Sequence, residues 1–141
     1  MSLFRGINIS ASGLTAQRLR MNIVSSNIAN VNTTRTEEGG PYQRKMPVFK
    51  SRLEDEMGML KEDGPTGTGV VVEEIKESKK APKLVYNPQH PDANEAGYVK
   101  MPNINIVSEM TDMISATRSY EANVTALNSA KQMAKSALKL G

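Results

Sequence analysis

The sequence predicts a mainly α fold with a small β part. Two long antiparallel helices from the chain ends form a coiled-coil-like stem, and the middle segment is rich in β-hairpins. Three observations carry this reading. All seven prolines lie between Pro41 and Pro102, and a proline inside a helix removes a donor and clashes one turn back. Both proline-free ends carry apolar residues at seven-residue spacing, which puts a stripe on one helix face and asks for a partner. The last segment runs from Glu109 and Asp112 to Lys131, Lys135 and Lys139, the order a helix macrodipole favours. The expected organisation is one structural unit in three parts: a stem helix in 1–36, a β-rich middle in 37–102 at the tip of the stem, and a stem helix in 103–141.

The first helix is expected over residues 3–31, with Ser2 as N-cap. Ile7, Leu14, Met21 and Ile28 form one row, and Ser10, Gln17, Val24 and Val31 the next. Gly6 and Gly13 interrupt it, each at about 1 kcal/mol relative to alanine. Either a neighbour approaches closely there or the first two turns fray. The run from Ser25 to Thr34 is dense in capping and turn residues and should end the helix. Glu37 to Pro41 reads as a turn, and Tyr42 to Lys50 as a strand whose Pro47 places it at an edge or bulge.

Residues 51–69 read as a charged stretch followed by a glycine-rich loop. Val70 to Ile75 is the best strand in the chain, Lys83 to Tyr86 the next, and Gly97 to Met101 a short extended piece. The second helix should start near Asn103 or Asn105, both good caps, and run to about Leu140. Its rows are Ile106, Met113, Tyr120, Leu127 and Ala134, then Met110, Thr117, Val124, Lys131 and Leu138.

Chemistry has little foothold. Gly64 and Gly69 have the spacing of a phosphate loop, but Val70 and Val71 stand where its lysine and hydroxyl residue belong. His90 is the only histidine and there is no cysteine, which removes zinc and disulfide readings and any base–nucleophile pairing. The run Lys76, Lys79, Lys80, Lys83 is interleaved with Glu73, Glu74 and Glu77 and reads as a solvated edge. With 18 basic against 15 acidic residues, nucleic acid is not an expected partner. No catalytic residue, cofactor, metal or small-molecule substrate is expected. No apolar run has membrane-spanning length, and the N-terminus lacks the core of a secretory leader. Residues 1–36 hold four arginines and no acid. Alone they would also suit an organellar transit peptide or a membrane-surface helix, but the second heptad helix needs the partner stripe they offer.

The rows are impure, since Ser10, Gln17, Thr117 and Lys131 interrupt them. Residues outside one seam are apolar too, among them Leu19, Ile23, Val107 and Ile114. Both a plain hairpin core and helices packed among several copies fit this pattern.

The wording of the two ends is more specific. Val24 to Thr33, with its Ser26-Asn27-Ile28-Ala29-Asn30 run and a later Tyr42, resembles the N-terminal signature of the bacterial flagellar rod and hook family. The block from Leu84 to Leu140 is similar to that family almost throughout, notably Gly97 to Asn103 and Met113 to Val124. The resemblance implies a structural subunit of the proximal rod, the drive shaft of the basal body, assembling helically through its terminal helices. It also implies type III export without a cleaved leader and a place in the periplasm-crossing rod. Implied partners are other copies, other rod proteins, the rod-base adaptor and the export apparatus. Carried over, the subunit-interface residues are Ile7, Leu14, Met21, Ile28, Met110, Met113, Tyr120, Val124 and Leu127. Ser26, Asn27, Asn30 and Tyr42 form the turn motif, assigned to the helix end and subunit contacts. The alternative is a soluble adaptor laying an amphipathic N-terminal helix on a membrane or in a partner's groove.

Overall fold

A computed structural model describes residues 2–53 and 67–140. The order is α1 (Ser2–Ala29), β1 (Lys45–Leu53), β2 (Gly67–Glu77), β3 (Lys83–Tyr86), β4 (Tyr98–Met101) and α2 (Ile106–Leu140). Half of the expected glycine-rich loop, 64–66, lies outside the described residues; its other half, Gly67 to Gly69, is not loop but the start of β2.

The helices begin and end where the local chemistry says. Asn30 donates through Nδ2 to the Ser26 carbonyl at 2.9 Å, and its backbone N–H reaches the same carbonyl. This occupies the acceptor of the last turn and closes α1. At the start of α2, Asn105 Oδ1 accepts from the N–H groups of Val107 (3.0 Å) and Ser108 (3.4 Å). That is an N-cap satisfying donors a helix start leaves open.

α1 and α2 run antiparallel. Residue 27 lies opposite 109 and residue 13 opposite 123. The buried apolar side chains of the two helices are small or β-branched: Ala16, Ile23 and Val24 on α1, Ala116 and Ala130 on α2. On α2 the line that faces α1 is Glu109, Ala116, Asn123 and Ala130, at strict seven-residue spacing. A β-carbon on Gly13 would lie 3.0 Å from Asn123, so the missing side chain admits the partner helix; Gly6 has open space. The larger rows read from the sequence flank this seam rather than fill it. Ile7, Leu14, Met21 and Ile28 are all half-buried. Small groups let two backbones close up, and the bulkier rows are then pushed to either side.

β1 and β2 form an antiparallel ribbon, Lys45 opposite Glu77 and Leu53 opposite Gly67, with irregularities after Val48 and after Arg52. Pro47 faces Ile75, tolerable because a two-stranded ribbon has only edge strands. The ribbon differs from the expected tip placement, because it lies along α1. Gly69 (φ +133°) touches the helix at Ile9 and Ser12, where Ser12 Oγ accepts from the Val70 N–H at 3.1 Å and donates to the Ile9 carbonyl at 2.7 Å. α1 offers a second face, and an isolated ribbon could not stand alone. β3 and β4 make a separate hairpin, Tyr86 opposite Tyr98, with the two rings edge-on at 5.3 Å. Its Val99 is fully buried.

Candidate functional site: the stem surface and its polar clamp

Where α1 ends, α2 begins and β1 starts, one asparagine holds all three. Asn27 is 0% exposed. Its Nδ2 donates to the Lys45 carbonyl (2.8 Å) and to Glu109 Oε2 (2.9 Å). Its Oδ1 accepts from the Lys45 N–H (2.9 Å) and from the Tyr42 hydroxyl (3.1 Å). A primary amide offers two donors and two acceptor positions, and all four are used. Toward Lys45 the side chain behaves as a strand neighbour, pairing with N–H and C=O of one residue.

Glu109 is also 0% exposed. Arg44 Nε donates to its other oxygen at 2.5 Å, so the buried carboxylate is both paired and hydrogen-bonded, as burial of a charge requires. Arg44 reaches Asp112 at 3.4 Å, and Arg20 donates to the same carboxylate at 2.9 Å. This chain of charges staples α1, β1 and α2 together. On the ribbon outside the clamp, a hydrogen bond to Glu74 holds the exposed Lys76 ammonium above its usual pKa.

The turn motif is thus drawn inward at Asn27, while Ser26 stays exposed and Asn30 and Tyr42 are half-buried. Thr33 donates to Asn30 Oδ1 at 3.1 Å, and Ser26 Oγ lies 3.4 Å from the Tyr42 hydroxyl. Sequence reasoning placed Asn27 in the motif but missed Arg20, Arg44, Glu109 and Asp112 as its setting. The available signal was Glu109 heading the seven-spaced row Ala116, Asn123 and Ala130.

The stem rows sit as follows. Met113, Tyr120, Val124 and Leu127 are half-buried, as are the four of α1; Met21 Sδ accepts from Thr117 at 3.6 Å. Met110 is 53% exposed, and beside it Val107 (72%) and Ile114 (58%) form an apolar row at helical spacing that nothing among the described residues covers. Among the described residues no group of His, Asp and Glu could hold a metal, and no helix is long and apolar enough to cross a membrane. His90 accepts from the Asp92 N–H within its own turn.

Two family models match the chain on its helices. "Flagella basal body rod protein" covers residues 7–35, and "Flagellar basal body rod FlgEFG protein C-terminal" covers 95–140. The class is therefore that of flagellar basal-body rod proteins, whose matched segments here are the two halves of the stem. Among similar proteins, the flagellar basal-body rod protein FlgC of Bacillus subtilis is 48% identical, covering 100% of this chain and 99% of its own. FlgC of Borreliella burgdorferi is 47% identical over 99% of this chain and 98% of its own, and FlgC of Escherichia coli O157:H7 is 41% identical over 100% and 99%. The chain belongs to the FlgC family: it is a structural subunit of the flagellar rod, associated with other rod proteins, and not an enzyme.

Proposed function

We propose that the chain is a proximal-rod subunit that assembles helically, its stem lying side by side with the stems of neighbouring copies and other rod proteins. The observation that supports this is the uncovered row Val107, Met110 and Ile114 on α2. Three large apolar groups at positions i, i+3 and i+7 suit a helix face waiting for another helix. The half-buried rows Ile7, Leu14, Met21, Ile28 and Met113, Tyr120, Val124, Leu127 flank the internal seam and extend the same contact surface. The reading includes export by the flagellar type III apparatus without a cleaved leader, passage of the rod through the periplasm, and an adaptor and the export apparatus at its base. Transmission of torque then needs only shape and stiffness.

The test is Met110→Asp with Ile114→Asp in flagellated cells lacking their own copy. Both residues face solvent in the free chain, so the purified variant should unfold at an unchanged temperature while swimming is lost. Normal swimming by the double variant would sink the assignment of this face.

A further inference from the structure

The hairpin β3–β4 sits at the clamp end of the stem, tied there by Thr34 to Asp92 (2.7 Å) and by Lys83 to the Ile104 carbonyl (3.4 Å). The Asn87 N–H donates to the Gly97 carbonyl at 2.9 Å, which fixes the phase of the ladder. Tyr86 opposite Tyr98 and Leu84 opposite Lys100 are then the pairs whose N–H and C=O groups point outward. On β4 both outward groups of Tyr98 are taken, its N–H by Asn94 Oδ1 (2.8 Å) and its carbonyl by the Asn94 N–H (2.9 Å). On β3 nothing among the described residues bonds the outward N–H and C=O of Leu84 or Tyr86. Every residue of β3 is exposed. Cross-strand pairs share a face; that of Val85 and Val99 turns inward, Val99 being fully buried. Leu84 (63% exposed), Tyr86 (65%), Tyr98 and Lys100 make up the outer face. Edges are normally blunted by charge, proline or a covering segment. Pro82 and Lys83 guard one end of β3 and Pro88 follows the other, but Leu84-Val85-Tyr86 has no such guard.

The surroundings of this edge are basic. Residues 78–104 hold Lys79, Lys80, Lys83 and Lys100 against Asp92 and Glu95. Lys83 is committed to Ile104 and Asp92 to Thr34. Lys79, Lys80 and Lys100 are exposed and have no ion-pair partner among the described residues. The carboxylates at the end of β2 are already used, Glu74 by Lys76 and Glu77 by Lys45. Leu53 and Gly67, which bound the undescribed stretch, pair at the other end of the ribbon, where Gly69 meets Ile9 and Ser12. From Ser12 to Asn27 is roughly 22 Å of helix at about 1.5 Å per residue. Just before β3, Lys80 and Pro82 line a groove of about 100 Å³ together with Tyr42 and Pro102.

We infer that the open edge of β3 takes up an extended acidic segment of another protein as a third strand. The backbone of that segment pairs with Leu84 and Tyr86, and its alternate apolar side chains lie on Leu84, Tyr86 and Tyr98. Its carboxylates meet Lys79, Lys80 and Lys100. In strand addition main-chain pairing supplies affinity and the side chains choose the partner. A second copy is the poorer occupant, because β3 against β3 brings four more lysines to the sheet with only two more acids, and like charges repel. The contact uses no residue of the stem and does not depend on how stems pack.

The test uses the purified full chain and a short fluorescein-labelled peptide alternating valine with aspartate and glutamate. By fluorescence anisotropy at low salt the peptide should bind saturably. At saturation, hydrogen exchange of the Leu84 and Tyr86 amides should slow by at least about tenfold, while that of Val85, already bonded within the hairpin, should not change. N-methylation of alternate peptide residues removes donors without touching charge, and should weaken binding by at least about tenfold. Lys79→Glu with Lys80→Glu, and separately Leu84→Lys, should weaken it by a similar factor; all three positions are exposed in the free chain. Absence of saturable binding overturns the inference. So does an N-methylated peptide that binds as tightly as its parent, which leaves charge attraction alone, or a lysine-for-acid peptide that binds equally well. Leu84 and Tyr86 amides left unprotected at saturation also overturn it. Slowing of these amides with protein concentration and no peptide makes a second copy the occupant, and overturns the acidic partner.

Discussion

At Asn27 a single amide decides whether the upper stem closes. Aspartate has nearly the same shape but no donors, and it would set a second carboxylate against Glu109. Asn27→Asp should therefore destabilise the monomer by about 3 kcal/mol, the scale of a buried charge left without its partner. Urea unfolding followed by circular dichroism measures this. Adding Glu109→Gln supplies an amide that can donate to the new carboxylate, so the double variant should be more stable than Asn27→Asp alone. Additive losses would show that the two side chains do not interact. The importance of Asn27 was legible in sequence only as part of a motif with a guessed role at the helix end. Its partners Lys45 and Glu109 lie 18 and 82 residues away, and no local pattern specifies such distances.

Helix α1 serves two neighbours, and that explains its composition. One side accepts α2 at Gly13; another accepts the ribbon at Ile9 and Ser12. Gly69 combines a left-handed backbone with a contact to Ser12 that leaves no room for a β-carbon. Gly69→Ala should cost about 2 kcal/mol, combining backbone strain with displacement of the Ser12 hydroxyl. Ser12→Ala should cost about 1 kcal/mol, the net worth of one hydrogen bond. Thermal unfolding of the two variants distinguishes these. If Gly69→Ala is no worse than Ser12→Ala, the ribbon is not pressed on the helix. Ala116 is wholly buried in the seam, so Ala116→Leu should overpack it by about 1–3 kcal/mol.

Across the whole molecule, stability should be graded along the stem. The clamp, Ile23, Val24 and Ala116 gather near one end, whereas toward the other α2 buries only Ala130 among its last described residues and leaves Met133 and Leu138 exposed. A helix without packing is marginal in water. Hydrogen exchange of the free chain should therefore show amides 131–139 exchanging at least about a hundredfold faster than 110–120, because opening there exposes little apolar surface. Assembly should erase the difference. Equal protection in the dilute monomer would contradict both the gradient and the need for neighbours.

The sequence by itself determined the proline-free terminal helices, an asparagine cap at 103 or 105, the short strands β3 and β4, and the family signature at both ends. All of these rest on local propensity or on residues close together in the chain. Only the tertiary structure decided which face of each helix meets the other, because apolar spacing of seven residues recurs on adjacent faces and does not say which one closes. The row Glu109, Ala116, Asn123, Ala130 won over the bulkier Ile106 and Met110 rows because its two alanines let the backbones approach and Glu109 finds its partners in the clamp. It also decided that the longer ribbon lies along the stem and that Arg44 and Glu109 meet in its interior. Those are long-range pairings, fixed by packing and by the need of every buried polar group for a partner.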